Sequence, residues 1–276
     1  MRSAVHENLN HFVGICPEVP NVAFLSDYHH RGTLRDLLDN DAIKVDWPFR
    51  FSVITDICEG MLYLHNSPIA VHGSLKSTNC VIDGRFVVKL ENFGLCAVKE
   101  QVMPPEEINP RSLFWTAPEH LRNRTSDTNR SQAGDVYSFA IILQEIITRT
   151  EPFEPVEKDG VIIETIEAKD ILQKVKNITN PPFRPTIPTD DCSPDLMSLI
   201  SDCWNEDPTA RPKFPVIKQK IKKNARGSGS TNFLDNLLTR MEQYAENLER
   251  LVEEKTSAFL DEKKKSEELL YQVLPR

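Results

Sequence analysis

The sequence predicts an α+β domain, mostly helical with a few short strands, followed by one long coiled-coil helix. Three observations carry this. The segment CVIDGRFVVKL reads as two apolar strands around Asp83 and Gly84, a dipeptide favoured in tight hairpins because both central residues take φ > 0. DVYSFAIILQEII is apolar on nearly every side, as a helix in the middle of a domain must be. After ARGSGST the composition changes, and residues 232–274 contain no Gly or Pro and are dense in Leu, Glu, Lys and Arg.

In chain order, HENLNHFVGI and the run from 19 to 25 are strand-like, and the latter ends in polar SDYHHRG. TLRDLL then makes a short amphipathic helix. In WPFRFSVITDICEGMLYLH, Ile54, Ile57, Cys58, Met61 and Leu62 recur at three- and four-residue spacing, which predicts a helix with one buried face. Prolines at 152, 155, 181, 182, 185 and 188 break the next region into short helices and loops. Small, polar residues 226–231 form a flexible linker between a domain over 1–225 and a helix over 232–276.

That helix carries Leu234, Leu237, Met241, Tyr244, Leu248 and Leu251 at a and d positions of a heptad, the seam of a homodimer. Asn232 or Thr231 caps its start, and Glu246 with Arg250 and Asp261 with Lys265 are favourable i, i+4 pairs. Further on, Lys255, Glu262 and Lys265 fall on the seam while Val252, Phe259 and Val273 are displaced by one, a register break. A helix over 232–274 would run ~65 Å, more than a domain of this size covers by itself, which favours pairing between chains.

Composition narrows the function. A formal charge of −8 argues against a nucleic-acid binder. Six scattered cysteines show neither a C-x-x-C pair nor metal-ligand spacing, so free thiols in a reducing compartment are expected. MRSAVHENLN lacks the apolar core of a signal peptide, and no stretch reaches the ~18 apolar residues of a membrane span. A cytoplasmic chain that does not itself insert in a membrane is expected.

The chemistry-bearing motifs are HGSLKSTN at 72–79 and ENFG at 91–94. They resemble the protein-kinase catalytic loop, His-Arg-Asp-Leu-x-x-x-x-Asn, and the metal-binding Asp-Phe-Gly. His72, Leu75, Lys76 and Asn79 keep the frame, but Ser74 stands where the catalytic base belongs and Asn92 where the metal-binding Asp belongs. Further on, Ala117-Pro118-Glu119 matches the close of an activation segment. The resemblance implies that Asp135 bonds the catalytic-loop backbone and that Arg211 pairs with Glu119. His72, Phe93 and Gly94 are structural on this reading. Ser26 is the gatekeeper position, with Asp27 and His29 in the hinge.

The sites are therefore expected as follows. There is no catalytic residue and no metal ligand, since the neutral oxygen of Asn92 is a poor substitute for a carboxylate on Mg²⁺. Strand alternation is expected to turn Glu91 to the face opposite Asn92. Ser26, Asp27, His29, Lys76 and Asn79 remain as the nucleotide-contact candidates.

Together with NFLDNLLTRMEQYAENLERLVEEK and the closing LLYQVLPR, these motifs closely resemble the receptor guanylate cyclases along essentially the whole chain. In that family a kinase-homology domain and a dimerising helix precede the cyclase, on the cytoplasmic face of the plasma membrane. The resemblance implies a regulatory pseudokinase segment in cGMP signalling, whose partners are a second copy and the parent's cyclase domain. No cofactor is required, and ATP is an optional allosteric ligand of the parent. It also implies that the chain starts after the Gly-rich loop and strand lysine and stops before the cyclase. Two other readings stay open on the sequence: an active kinase of the tyrosine-kinase-like group, and a standalone dimeric scaffold or dominant-negative fragment.

Overall fold

The computed structural model describes residues 4–16, 18, 23–41, 43–95, 109–123, 130–154, 166–188 and 192–227, with scattered positions between 245 and 265. The chain divides into two compact units: Met1–Asn40 with Val45–Thr231, and Asp41–Lys44 with Asn232–Arg276.

The first unit opens on an antiparallel ribbon, β1 (Phe12–Cys16) and β2 (Ala23–Ser26), with an irregularity in register between Phe12 and Gly14. Residues 19–22 of the expected strand lie outside the described residues. Helix α1 (Leu34–Asp39) starts with a capping box. Thr33 accepts from the Asp36 backbone N–H while the Asp36 carboxylate accepts from that of Thr33. Leu34, Leu37 and Leu38 are its buried face.

Helix α2 (Trp47–Asn66) starts at an Asp46 cap with Pro48 in its first turn. Ile54, Ile57, Cys58 and Met61 are buried, as their spacing predicts, but Leu62 is only half-buried. A second ribbon, β3 (Cys80–Ile82) and β4 (Val88–Leu90), follows a 3-10 turn at Ser77–Asn79. Its connection corrects the expected turn. Gly84 is not the left-handed residue; Phe86 is, at φ 60°. Asp83 shapes the loop with its side chain, Oδ1 accepting from the N–H groups of Arg85 at 2.8 Å and Val87 at 3.0 Å.

One pairing has no counterpart in the sequence reading. Residues 8–10 run parallel to β4: Leu90 N donates to Asn8 O at 2.9 Å, and Asn10 N donates to Leu90 O at 2.7 Å.

The centre of the unit is α4 (Gln132–Thr148), buried continuously from Gly134 to Ile147. Such a helix needs apolar neighbours all round, and it finds α2 on one side and α6 (Pro194–Cys203) on another. Short α3 (Pro118–Arg122) and α5 (Ala168–Lys176) build a satellite core of Phe114, Leu121, Ile171, Leu172 and Val175. Helix α7 (Phe214–Gly227) packs on α2. None of the described cysteines, Cys16, Cys58, Cys80, Cys192 and Cys203, is in a disulfide. Burial pushes the Cys58 thiol up to about 12 and raises those of Cys80 and Cys203 as well.

In the second unit the described positions between 245 and 265 are helical. Val252, Phe259 and Leu260 are 60, 65 and 50 % exposed. All six seam residues, Leu234, Leu237, Met241, Tyr244, Leu248 and Leu251, lie outside the described residues, so the coiled coil rests on the sequence alone. No helix among the described residues is long and apolar enough to cross a membrane.

Candidate functional site

The loop after α2 is held from below by Asp135 in the first turn of α4. One carboxylate oxygen accepts from His72 N at 2.8 Å and the other from Gly73 N at 2.9 Å. His65 Nε2 lies 2.9 Å from the same carboxylate. An acidic group suits the positive end of a long helix, and these donors satisfy it while it is buried.

His72 is 1 % exposed and lies edge-on to Phe93 at 6.3 Å between centroids. Its Nδ1 accepts from Ser74 N at 3.3 Å, and its carbonyl accepts from Gly94 N at 3.3 Å. The imidazole thus ties the HGS segment to the NFG segment. Burial pushes its pKa down to about 4, so it is neutral at physiological pH.

At the position of the lost base, Ser74 Oγ donates to Asn92 O at 3.3 Å. Asn79 Nδ2 donates to Ser74 O at 2.7 Å, and Asn92 Nδ2 donates to Asn79 Oδ1 at 3.0 Å. The expected placement of Glu91 is wrong. Asn92 takes φ 60°, the chain leaves the extended conformation, and both side chains converge, with Asn92 Nδ2 3.3 Å from Glu91 Oε1. Beyond Glu91, Asn10 donates to Glu91 Oε2 at 3.4 Å and to Asp27 O at 3.1 Å, and its Oδ1 lies 3.0 Å from His29 Nε2.

Hinge, β4 end and loop are therefore joined in one polar network: His29, Asn10, Glu91, Asn92, Asn79, Ser74. Asn10, which sequence reasoning passed over, had a signal only in being a polar residue next to a strand, which is too common to single it out. Ser26 closes β2, and Asp27 N donates to His11 O at 3.2 Å. Lys76 faces elsewhere: it lines a cavity with Ser74, His120 and Arg130 that none of Ser26, Asp27, His29 and Asn79 lines.

A kinase-type metal does not fit this donor set. The Oδ1 of Asn79 is taken by the amide of Asn92, and Glu91 alone supplies a negative charge, already bonded to two amides. Among the described residues no group of three or more His, Cys, Asp and Glu side chains could hold a metal ion.

Two buried ionic sites brace the loops. Arg211 donates to both oxygens of Glu119, at 2.7 and 2.8 Å, and also to the carbonyls of Ala133 at 3.0 Å and Asn205 at 2.8 Å. Its guanidinium lies 5.3 Å from the ring centre of Tyr137. Glu145 of α4, fully buried, accepts from Ser77 Oγ at 2.8 Å, Trp115 Nε1 at 2.8 Å and Arg35 Nη1 at 3.3 Å. Burial pushes its carboxyl up to about 7, against those three stabilising contacts. Sequence reasoning passed over Glu145, although a lone acid inside DVYSFAIILQEII was the available signal.

The chain is 47 % identical over 277 residues to atrial natriuretic peptide receptor 2 of Rattus norvegicus, covering 100 % of this chain and 26 % of the receptor. It is 39 % identical over 294 residues to the receptor-type guanylate cyclase gcy-28 of Caenorhabditis elegans, covering 100 % and 22 %. With Gyc76C, a receptor-type guanylate cyclase of Drosophila melanogaster, identity is 38 % over 288 residues, covering 100 % and 18 %. The chain thus spans about a quarter or less of the length of these relatives. The family model of protein tyrosine and serine/threonine kinases matches residues 1–221, and the chain belongs to that family.

Proposed function

We propose that this chain is the regulatory kinase-homology and dimerisation segment of a receptor guanylate cyclase, inactive as a kinase. The observation that carries the reading is the closed amide pair. Where an active kinase needs a carboxylate and an Asn open to Mg²⁺, Asn92 and Asn79 are bonded to each other. Ser74, in the place of the base, has a hydroxyl engaged with Asn92 O and cannot accept a proton from a substrate at neutral pH.

The similarity to receptor-type guanylate cyclases supports a place in cGMP signalling, on the cytoplasmic face of the plasma membrane. ATP, where the longer parent binds it, acts as an allosteric ligand and not as a phosphate donor. The network from His29 to Ser74 is the route by which such a ligand would bias the loops. The heptad over 232–276 carries the result to a second copy and to the parent's cyclase domain, through a two-state change in helix pairing.

The test has two arms. Purified chain with labelled ATP and Mg²⁺ or Mn²⁺ is expected to transfer no phosphate to itself or to a generic substrate. Transfer abolished by Lys76→Ala would sink the reading. Separately, Leu248→Ala with Leu251→Ala is expected to bring a dimer to monomer in analytical ultracentrifugation at micromolar concentration. Each lost Leu costs ~2–5 kcal/mol and occurs twice in a dimer. A double variant that sediments like the parent would move dimerisation to the kinase-like unit.

A further inference from the structure

The satellite core is open on one side. A groove of about 230 Å³ runs between the 3-10 turn Pro110–Leu113, α3 and α5. Leu121 and Leu172 of that core, with half-buried Leu113, give it an apolar floor. One wall is a single face of α5. Lys169, Gln173 and Lys176 stand at i, i+4 and i+7, stacked along the helix surface, and all three line the groove. Lys169 and Gln173 are exposed, and Lys176 is half-buried.

The charge of this wall is of one sign. Among the described residues no acidic side chain lines the groove. Neither ammonium group has an ion pair or a hydrogen bond among them. Lysines elsewhere are matched: Lys218, Lys220 and Lys223 pair with Glu59, Asp202 and Asp195. Glu167 and Asp170, close to Lys169 in sequence, are not in the lining, and Glu206 is bonded to Arg122 and Arg184. With a screening length of ~8 Å at physiological salt, the groove's own two cations decide what approaches, not the total of −8.

We propose that this groove docks an acidic amphipathic helix of a partner protein. One apolar side chain sits on the leucine floor, with a carboxylate against each lysine. Spacing decides the helical form. A separation of seven residues sets Lys169 and Lys176 ~10 Å apart along α5. A partner helix laid along α5 spans that distance with acids at i and i+7, and its i+3 or i+4 residue lies between them on the same face. An extended segment covers ~10 Å in three residues, but positions i and i+3 then point to opposite faces, and only one acid would meet α5. The space is below the ~300–1,000 Å³ of small-molecule sites and suits a single side chain of a helix lying on the surface.

The experiment titrates the full chain with a fluorescein-labelled, lactam-stapled helical peptide bearing Glu, Leu and Glu at i, i+3 and i+7, read by anisotropy. Control peptides carry Lys for both Glu, Ser for the Leu, or the second Glu moved to i+5. The first peptide is expected to bind, more weakly as salt is added. Exchange of Leu for Ser should weaken it by about tenfold or more, and the two charge controls should also bind less well. Lys169→Glu, at an exposed position, should weaken binding by about fivefold or more at an unchanged melting temperature. Gln173→Trp, which fills the mouth of the groove, should do the same. If either variant lowers the melting temperature, the other carries the comparison. No binding of the first peptide, equal binding of any control, or indifference to the folded variants overturns the proposal. If the peptide fails to bind and Lys169→Glu turns a dimer into a monomer in ultracentrifugation, the groove belongs to a second copy, which overturns it as well.

Discussion

Asn92 donates its side-chain amide to Oδ1 of Asn79 across 3.0 Å, joining the two segments that an active kinase joins through a metal ion. A neutral hydrogen bond thus stands in the place of a cation bridge. It needs no ligand to form, and it fixes the loops in one arrangement when the chain folds.

Replacing Asn92 by Asp tests this directly. The variant sets a carboxylate against the Oδ1 of Asn79 and beside Glu91, turning two hydrogen bonds into repulsions. A loss of ~1–3 kcal/mol is expected without metal. Mn²⁺ should recover part of it, since a hard cation now has two carboxylates. Thermal melting with and without Mn²⁺ reads this out. The parent should be indifferent to Mn²⁺, and a parent stabilised by it would contradict the donor analysis.

Glu119→Ala strands Arg211, whose side chain is 0 % exposed. Breaking one side of a buried pair costs ~3–5 kcal/mol. Glu119→Ala combined with Arg211→Met should cost less than Glu119→Ala alone, because no charge is left unpaired. Urea unfolding midpoints decide. Equal midpoints for Glu119→Ala and the parent would show that the pair contributes nothing.

His72 gives a pH signature. Its pKa in the fold, about 4, lies below the 6.5 of an unfolded chain, so the unfolded state takes up the proton first as pH falls. The stability tied to the neutral imidazole is complete above pH 6.5 and is lost as pH falls towards 4. The full window amounts to about 3 kcal/mol. In His72→Asn, which keeps an acceptor for Ser74 N, the fall of stability over that window should be shallower. Identical slopes would mean that the ring ionises without unfolding.

Gly60→Ala should destabilise, although Ala is better than Gly inside a helix by roughly 1 kcal/mol. An added Cβ would stand 2.8 Å from Asn8 O and 2.9 Å from Leu90 Cδ1, closer than atoms pack. Relieving that clash costs ~1–3 kcal/mol. It should loosen residues 8–10 from β4, read as faster amide exchange at Leu90 N. Unchanged exchange with raised stability would show that α2 shifts to accommodate the methyl.

The sequence by itself determined the helices and the departures from the kinase frame. Periodicity marked α2, the continuous apolar run marked α4, and Ser74 and Asn92 stand where the kinase frame has Asp whatever surrounds them. Tertiary structure decided what the residues at those positions bond to. Asn10 and Asn79 are 69 positions apart, and only folding sets both beside Glu91 and Asn92. Two local conformations escaped the pattern because they depend on a single backbone angle. Positive φ at Asn92 swings Glu91 round to meet it, and in the hairpin loop positive φ falls at Phe86 and not at Gly84, although Gly84 stays within the turn that Phe86 N closes on Asp83 O at 3.1 Å. Strand alternation assumes that extended geometry continues. The chain stops obeying it at the loop ends, where side-chain hydrogen bonds repay a left-handed residue. Arg130 is a further case: Gly73 shows only an empty place in the sequence, and that the stem of Arg130 fills it follows from the approach of the start of α4 to the loop.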